Sequence, residues 1–248
     1  MQIKTNTGFT LLELSIVIVI IGLIVAGISA GQSLVRQASL RGIASDFSQY
    51  KVALNSFKLQ YDAWPGDMVN ASDYWGAACG GASAAPTGCN GNGNKLIQAS
   101  VSNGVAIEEF RAWQHLALAG LTSGTYTGEI SSGGLFNGGE NVPRGSIPNS
   151  AWSFRYASSN HNSFTLTSDS ETTSTSFDPI LTPAESYAVD VKLDNGIPNM
   201  TFSPQDLVSA SNGFGGAGNC YTGSGLSSVY NLSYTETDGC AIHFRLPK

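Results

Sequence analysis

Only 12% of the 248 residues are charged, against roughly 25% in ordinary soluble domains, and the net charge is -6. That balance and the lack of any basic stripe exclude nucleic acid as a partner, since phosphate binding needs clustered Lys and Arg. The length suits one domain, or one domain with an appendage, and the abundant Gly points to long loops.

The chain opens Met1-Gln-Ile-Lys4-Thr-Asn-Thr-Gly8-Phe9-Thr-Leu-Leu-Glu13, and no charged residue occurs from Leu14 to Val35. As a helix that stretch is about 33 Å long, enough to cross the roughly 30 Å bilayer core, so the lipid bilayer is an expected partner. A secretory signal would have an apolar run of roughly 7–15 residues followed by an A-x-A-like site. Here the run is longer, and Gln32-Ser-Leu-Val-Arg36 continues the helix beyond it. A plain signal anchor gives no reason for Glu13, because a carboxylate at the head of an apolar helix is costly without a partner.

Gly8-Phe9-Thr-Leu-Leu-Glu13 resembles the G-F-T-L-x-E signature of type IV pilins and type II secretion pseudopilins. The resemblance implies cleavage between Gly8 and Phe9 by a prepilin peptidase, which also N-methylates Phe9. It implies residence in the bacterial inner membrane with a single span. Recruitment by an inner-membrane assembly platform then places the chain with other pilin subunits in a filament in the periplasm or at the cell surface. Glu13 is implied to neutralise the terminal amine of a neighbouring subunit, and removing one partner of a buried pair costs about 3–5 kcal/mol. The resembling family is structural, so no enzyme activity and no obligatory cofactor are expected.

Small residues recur at four-residue spacing within the span (Gly22, Ala26, Ala30; Gly27, Gly31), a pattern that permits close helix packing. Gly27-Ile-Ser-Ala-Gly31 spells the hydrolase elbow, but inside a helix the match is chance. Beyond the span, Ile43, Phe47, Tyr50, Leu54, Phe57 and Tyr61 form one apolar stripe, with Arg41, Asp46, Gln49, Lys51, Lys58 and Gln60 off it. Trp64-Pro65-Gly66 ends the pattern. The predicted organisation is a leader at 1–8, a helix at 9–61 with its span at about 14–35, and an extracytoplasmic head at 62–248. The predicted fold is α+β and pilin-like, with the amphipathic half of the long helix packed on an antiparallel sheet.

In the head, Tyr61-Asp-Ala-Trp-Pro-Gly-Asp67 resembles the Y-x-x-x-P-G-D segment of many pilin-like proteins and reads as a turn anchored by Trp64 and Trp75. Cys79, Cys89, Cys220 and Cys240 lack C-x-x-C spacing, and outside the cytoplasm they read as disulfides. Four cysteines allow three connectivities, of which Cys79–Cys89 with Cys220–Cys240 is preferred. By resemblance, a C-terminal disulfide closes a surface loop that contacts neighbours or receptors. Asn90-Gly-Asn92-Gly-Asn94 is similar to the first half of a calcium loop, with Ile97 at the apolar position. All three side chains are neutral, so Asp67, Glu108 or Glu109 would have to complete a site; a turn held by the disulfide is the simpler reading.

Helices are expected at Glu108–Leu121, ending near Gly120, and at Pro183–Leu193, where Thr182-Pro-Ala-Glu185 is a capping box. Strands are expected at Ser153–Tyr156, Phe164–Thr167, Val229–Tyr234 and Ala241–Leu246, the last two flanking a turn at Asp238-Gly239. Residues 131–148 and 168–176 read as exposed loops. His115, His161 and His243 have no catalytic or metal spacing, and Gly213–Gly218 reads as loop. The functional reading is a filament subunit; the alternative is a membrane-tethered adhesin or minor tip subunit with a binding head.

Overall fold

The computed structural model describes residues 8–79, 88–98, 108–130, 136–157, 161–169, 178–198, 206–211, 219–237 and 239–246. The chain divides into two compact units, Met1–Ser39 and Leu40–Lys248, and one helix, α1 (Leu11–Tyr61), contributes to both. In the first unit α1 is apolar on every side, as the composition of residues 14–35 requires. In the second, its apolar stripe is buried: Ile43, Phe47, Leu54 and Phe57 are inside, with Ala44 and Ala53 beside them.

The head is built on a four-stranded antiparallel sheet in the order β1-β2-β6-β3, from β1 (Ser150–Ala157), β2 (His161–Ser168), β3 (Val208–Ser211) and β6 (Ala241–Arg245). Its register sets one apolar face: Phe154 opposite Phe164, Trp152 opposite Leu166, Phe164 opposite Phe244, Leu166 opposite Ile242, and Val208 opposite Phe244. Because side chains alternate along strands, the other face carries Ser153, Thr165, His243 and Ser209 in one row. The helical stripe meets the apolar face. Phe47 stacks on Phe244 at 4.7 Å and meets the edge of Phe164 at 6.3 Å; Tyr50 lies edge-on to Trp113 and Trp152. Aromatic pairs of this geometry contribute about 0.5–1.5 kcal/mol each beyond their buried area.

Three short helices complete the head: α2 (Ala71–Trp75), α3 (Glu108–Leu118) and α4 (Pro183–Leu193). α3 stops in a Schellman motif, with Leu121 N–H bonded to Leu116 O, Gly120 N–H to Ala117 O, and Gly120 at φ 70°. The helix therefore ends at Leu118, three residues before Leu121. α4 starts at the expected capping box: Thr182 Oγ1 accepts from Glu185 N, and the Glu185 carboxylate accepts from Thr182 N.

Two expectations are corrected, and one strand of the four-stranded sheet is new. Val229–Tyr234 is a strand only at β5 (Val229–Tyr230), and it pairs with β4 (Tyr221–Thr222), not with the final strand, which sits between β2 and β3. β3 has no counterpart in the sequence reading. Residues 136–148 are not an exposed loop: Phe136, Asn141, Val142 and Ile147 are buried, and Arg144 bridges to Ala151 beside β1. Glycine and proline kept this segment out of regular strands without keeping it out of the core. Residues 170–176, Asp238 and Gly213–Gly218 lie outside the described residues.

Candidate functional site

At the N-terminal end, Gly8 and Phe9 are exposed and precede the first helical turn. Thr10 caps that turn. Its Oγ1 accepts from Glu13 N at 3.2 Å, and Glu13 Oε2 accepts from both Thr10 N and Thr10 Oγ1 at 2.8 Å. This is a capping box, a second role for the T-L-L-E segment that its resemblance to a processing signal obscured. The box uses Oε2 and leaves Glu13 exposed, so the carboxylate remains open to a cation from outside the chain. Further along, a side chain at Gly22, Gly27 or Gly31 would meet no other part of the described residues, so these glycines leave open surface against which another helix can pack.

The cysteines pair as Cys79–Cys89 and Cys220–Cys240. The first disulfide, buried in the head, holds the Asn90–Gln98 loop. The asparagines marked for calcium bond to backbone: Asn90 Oδ1 accepts from Ser72 N, Asn92 Oδ1 from Asn94 N, and Asn94 Oδ1 from Leu96 N. The tertiary fold brings Asp67 and Glu108 to this loop. Asp67 accepts from Asn94 N and Lys95 N at 3.0 and 2.7 Å; Glu108 accepts from Asn92 N and Gln98 N at 3.2 and 2.9 Å. Burial pushes both carboxyls above their ordinary range, and the backbone N–H donors oppose that shift. Gly91 is required where the loop crosses Asp67, because a Cβ there would lie 2.3 Å from the Asp67 backbone.

His115 is fully buried and fastens the Pro65-Gly66 turn to the disulfide. Its Nδ1 accepts from Gly66 N at 2.9 Å, and its Nε2 donates to Cys89 O at 3.0 Å. Burial, reinforced by the Arg111 charge, holds its pKa down at about 3, so the ring is neutral. Among the described residues the one cluster of three potential metal-ligating side chains is Cys79, Cys89 and His115. Both of its sulfurs are spent in the disulfide and both ring nitrogens on backbone, so the cluster is structural. Gly66 cannot carry a side chain: at φ 81°, a Cβ would lie 2.3 Å from Glu108 O. On the polar side of the sheet, His243 bonds Thr165 Oγ1 and Ser211 Oγ and is also held neutral by burial.

Sequence reading missed two anchoring residues. Asp46, placed off the apolar stripe, accepts from Ser146 Oγ at 2.6 Å and Trp152 Nε1 at 3.2 Å. Buried Arg111 donates to Cys79 O and Gln114 Oε1. Asp46 neighbours Phe47 on the helix, but nothing local signals its partners about 100 residues away.

Residues 3–29 match the prokaryotic N-terminal methylation motif. The chain therefore carries the prepilin signal of type IV pilins and pseudopilins, followed by a pilin-like α+β layout. Among the described residues α1 is the one helix long and apolar enough to cross a membrane. Neither a curated protein nor a solved structure matches the chain.

Proposed function

We propose that the chain is a structural subunit of a type IV pilus or a type II secretion pseudopilus. A prepilin peptidase cuts between Gly8 and Phe9 and methylates Phe9; the span is retained, because the cut lies before it. The observation that carries this reading is the G-F-T-L-L-E signal at the head of a helix whose large apolar residues are exposed from Leu11 to Val35. Such a surface exchanges lipid for neighbouring helices with no net loss of burial. Glu13 Oε1 is the acceptor for the neighbour's terminal ammonium, while the Thr10 capping box keeps Oε2 in place. The inner-membrane assembly platform and further pilin subunits are the partners this route requires, and the filament lies in the periplasm or at the surface.

The test compares sheared filaments with membranes for the wild type and Glu13→Ala. The reading expects normal membrane levels of the variant with at least tenfold less in filaments. Equal filament levels would overturn the assembly role of Glu13. A second reading, a tip subunit with a binding head, rests on a groove of about 660 Å³ bounded by Lys58, Trp64, Asp67, Val69 and Lys95. Lys58 Nζ lies 4.0 Å over the Trp64 ring at its edge. Trace occupancy at filament ends would favour that reading, and bulk incorporation the first.

A further inference from the structure

The end of α4 gathers three carboxylates. Asp190 is fully buried; its Oδ2 accepts from the Tyr230 hydroxyl at 2.8 Å and its Oδ1 from Gly196 N at 3.1 Å. One side chain thus joins α4 to β5 and to the turn that follows α4. Asp194 Oδ2 accepts from Leu207 N and Val208 N at 2.6 and 3.1 Å, tying the helix end to β3. Asp206, just before β3, accepts from Asn195 Nδ2 at 2.9 Å. Among the described residues, the ionisable groups acting on Asp190 are Tyr230 from β5, Asp194 from the end of α4, and Asp206 from the approach to β3. None of these is a cation, and Lys192, the basic residue in the last turn of α4, is exposed.

We propose that Asp190 makes the junction of α4, β3 and the β4–β5 hairpin an acid-tightened clasp: uptake of one proton removes a buried like charge and the junction closes more firmly. The proton comes from solvent and no bond need be lost. A protonated carboxyl still accepts from Gly196 and exchanges donor and acceptor roles with Tyr230. Burial above all, with repulsion from Asp194 and Asp206, pushes the Asp190 carboxyl up to about 6, against the opposing bonds from Tyr230 and Gly196. A carboxyl with a raised folded pKa binds its proton more tightly closed than open, so closure strengthens as pH falls through about 6 and levels off near the ordinary value of 3.8. The clasp bears on a defined surface. Cys220–Cys240 ties the start of the hairpin to the residue before β6, Leu226, Val229 and Leu232 are exposed, and Tyr187 of α4 lies edge-on to Tyr230 at 5.7 Å.

The test is hydrogen exchange on the full chain in detergent micelles, followed at the Gly196 and Asn231 amides and corrected for intrinsic rates. Gly196 N–H bonds Asp190, and Asn231 N–H bonds Cys220 O within the hairpin. Protection in the wild type should rise about tenfold from pH 7.5 to pH 5, the gain expected when a carboxyl with a pKa of about 6 regains its ordinary value on opening. Asp190→Asn keeps the same shape but has no proton to take up, so the rise in protection should be absent. Tyr230→Phe removes a bond that holds the carboxyl down, so the midpoint of the rise should move to higher pH. Constant protection in the wild type, a tenfold rise persisting in Asp190→Asn, or an unmoved midpoint in Tyr230→Phe would each overturn the clasp.

Discussion

One helix carries two kinds of surface. Between Leu14 and Val35 the large apolar side chains of α1 are 50% to 71% exposed, whereas Ile43, Phe47, Leu54 and Phe57 are buried to within 3%. The chemistry of the residues is much the same in both stretches; the arrangement differs. An apolar surface on every side has no preferred partner within the chain and suits lipid or identical helices. A stripe at steps of three and four has one, and the head is built on it. The first stretch is thus shaped for association, and the second for the stability of its own unit.

The comparison is broken most severely at Phe47. Phe47→Ala should lower head stability by about 3–5 kcal/mol, read as a shift in the thermal midpoint. Ile20→Ala should leave that midpoint unchanged and alter only membrane retention or assembly. A comparable loss from both would mean the two stretches are not distinct. Next in size, Cys79→Ser with Cys89→Ser should cost about 2–4 kcal/mol and release the Asn90–Gln98 loop, visible as faster proteolysis there.

Acid should act on the head through its buried histidines. His115 and His243 each have a folded pKa of about 3, below the ordinary 6.5, so the folded state binds fewer protons in that window. Their contribution is therefore intact above about 6.5 and declines by about 1.4 kcal/mol per pH unit for each as pH falls toward 3. His243→Gln should flatten roughly half of that slope in a pH series of unfolding midpoints; an unchanged slope would contradict the neutral-ring account. The smallest expected effect is that of calcium. Because Asn90, Asn92 and Asn94 are neutral, weak ligands for a divalent cation, millimolar calcium should leave the head's midpoint unmoved. A rise in midpoint abolished by Asn92→Ala would show that calcium binds at this loop.

What was legible in the sequence follows the range of each interaction. The stripe of α1 and the capping box of α4 are written within a few residues, and both could be read directly. β3, with only Val-Ser-Ala-Ser, and the two-residue strands β4 and β5 are too short to show alternation; tertiary pairing alone defines them. The burial of Phe136, Val142 and Ile147 was hidden by the glycines and prolines around them. At the candidate site, the motif from Gly8 to Glu13 was readable through its resemblance to the pilin signature. The Thr10–Glu13 box was equally local but was masked by the motif's other meaning. Asp67 and Glu108 lie 41 positions apart (108 − 67), and only the folded loop joins them.

The central claim concerns where the mature chain begins. Intact mass and N-terminal sequencing of the protein from membranes and from sheared filaments test it most directly. The account predicts a chain that starts at N-methylated Phe9 in both fractions. A chain that still begins at Met1, or one cut beyond residue 30 with the apolar stretch lost, would contradict it.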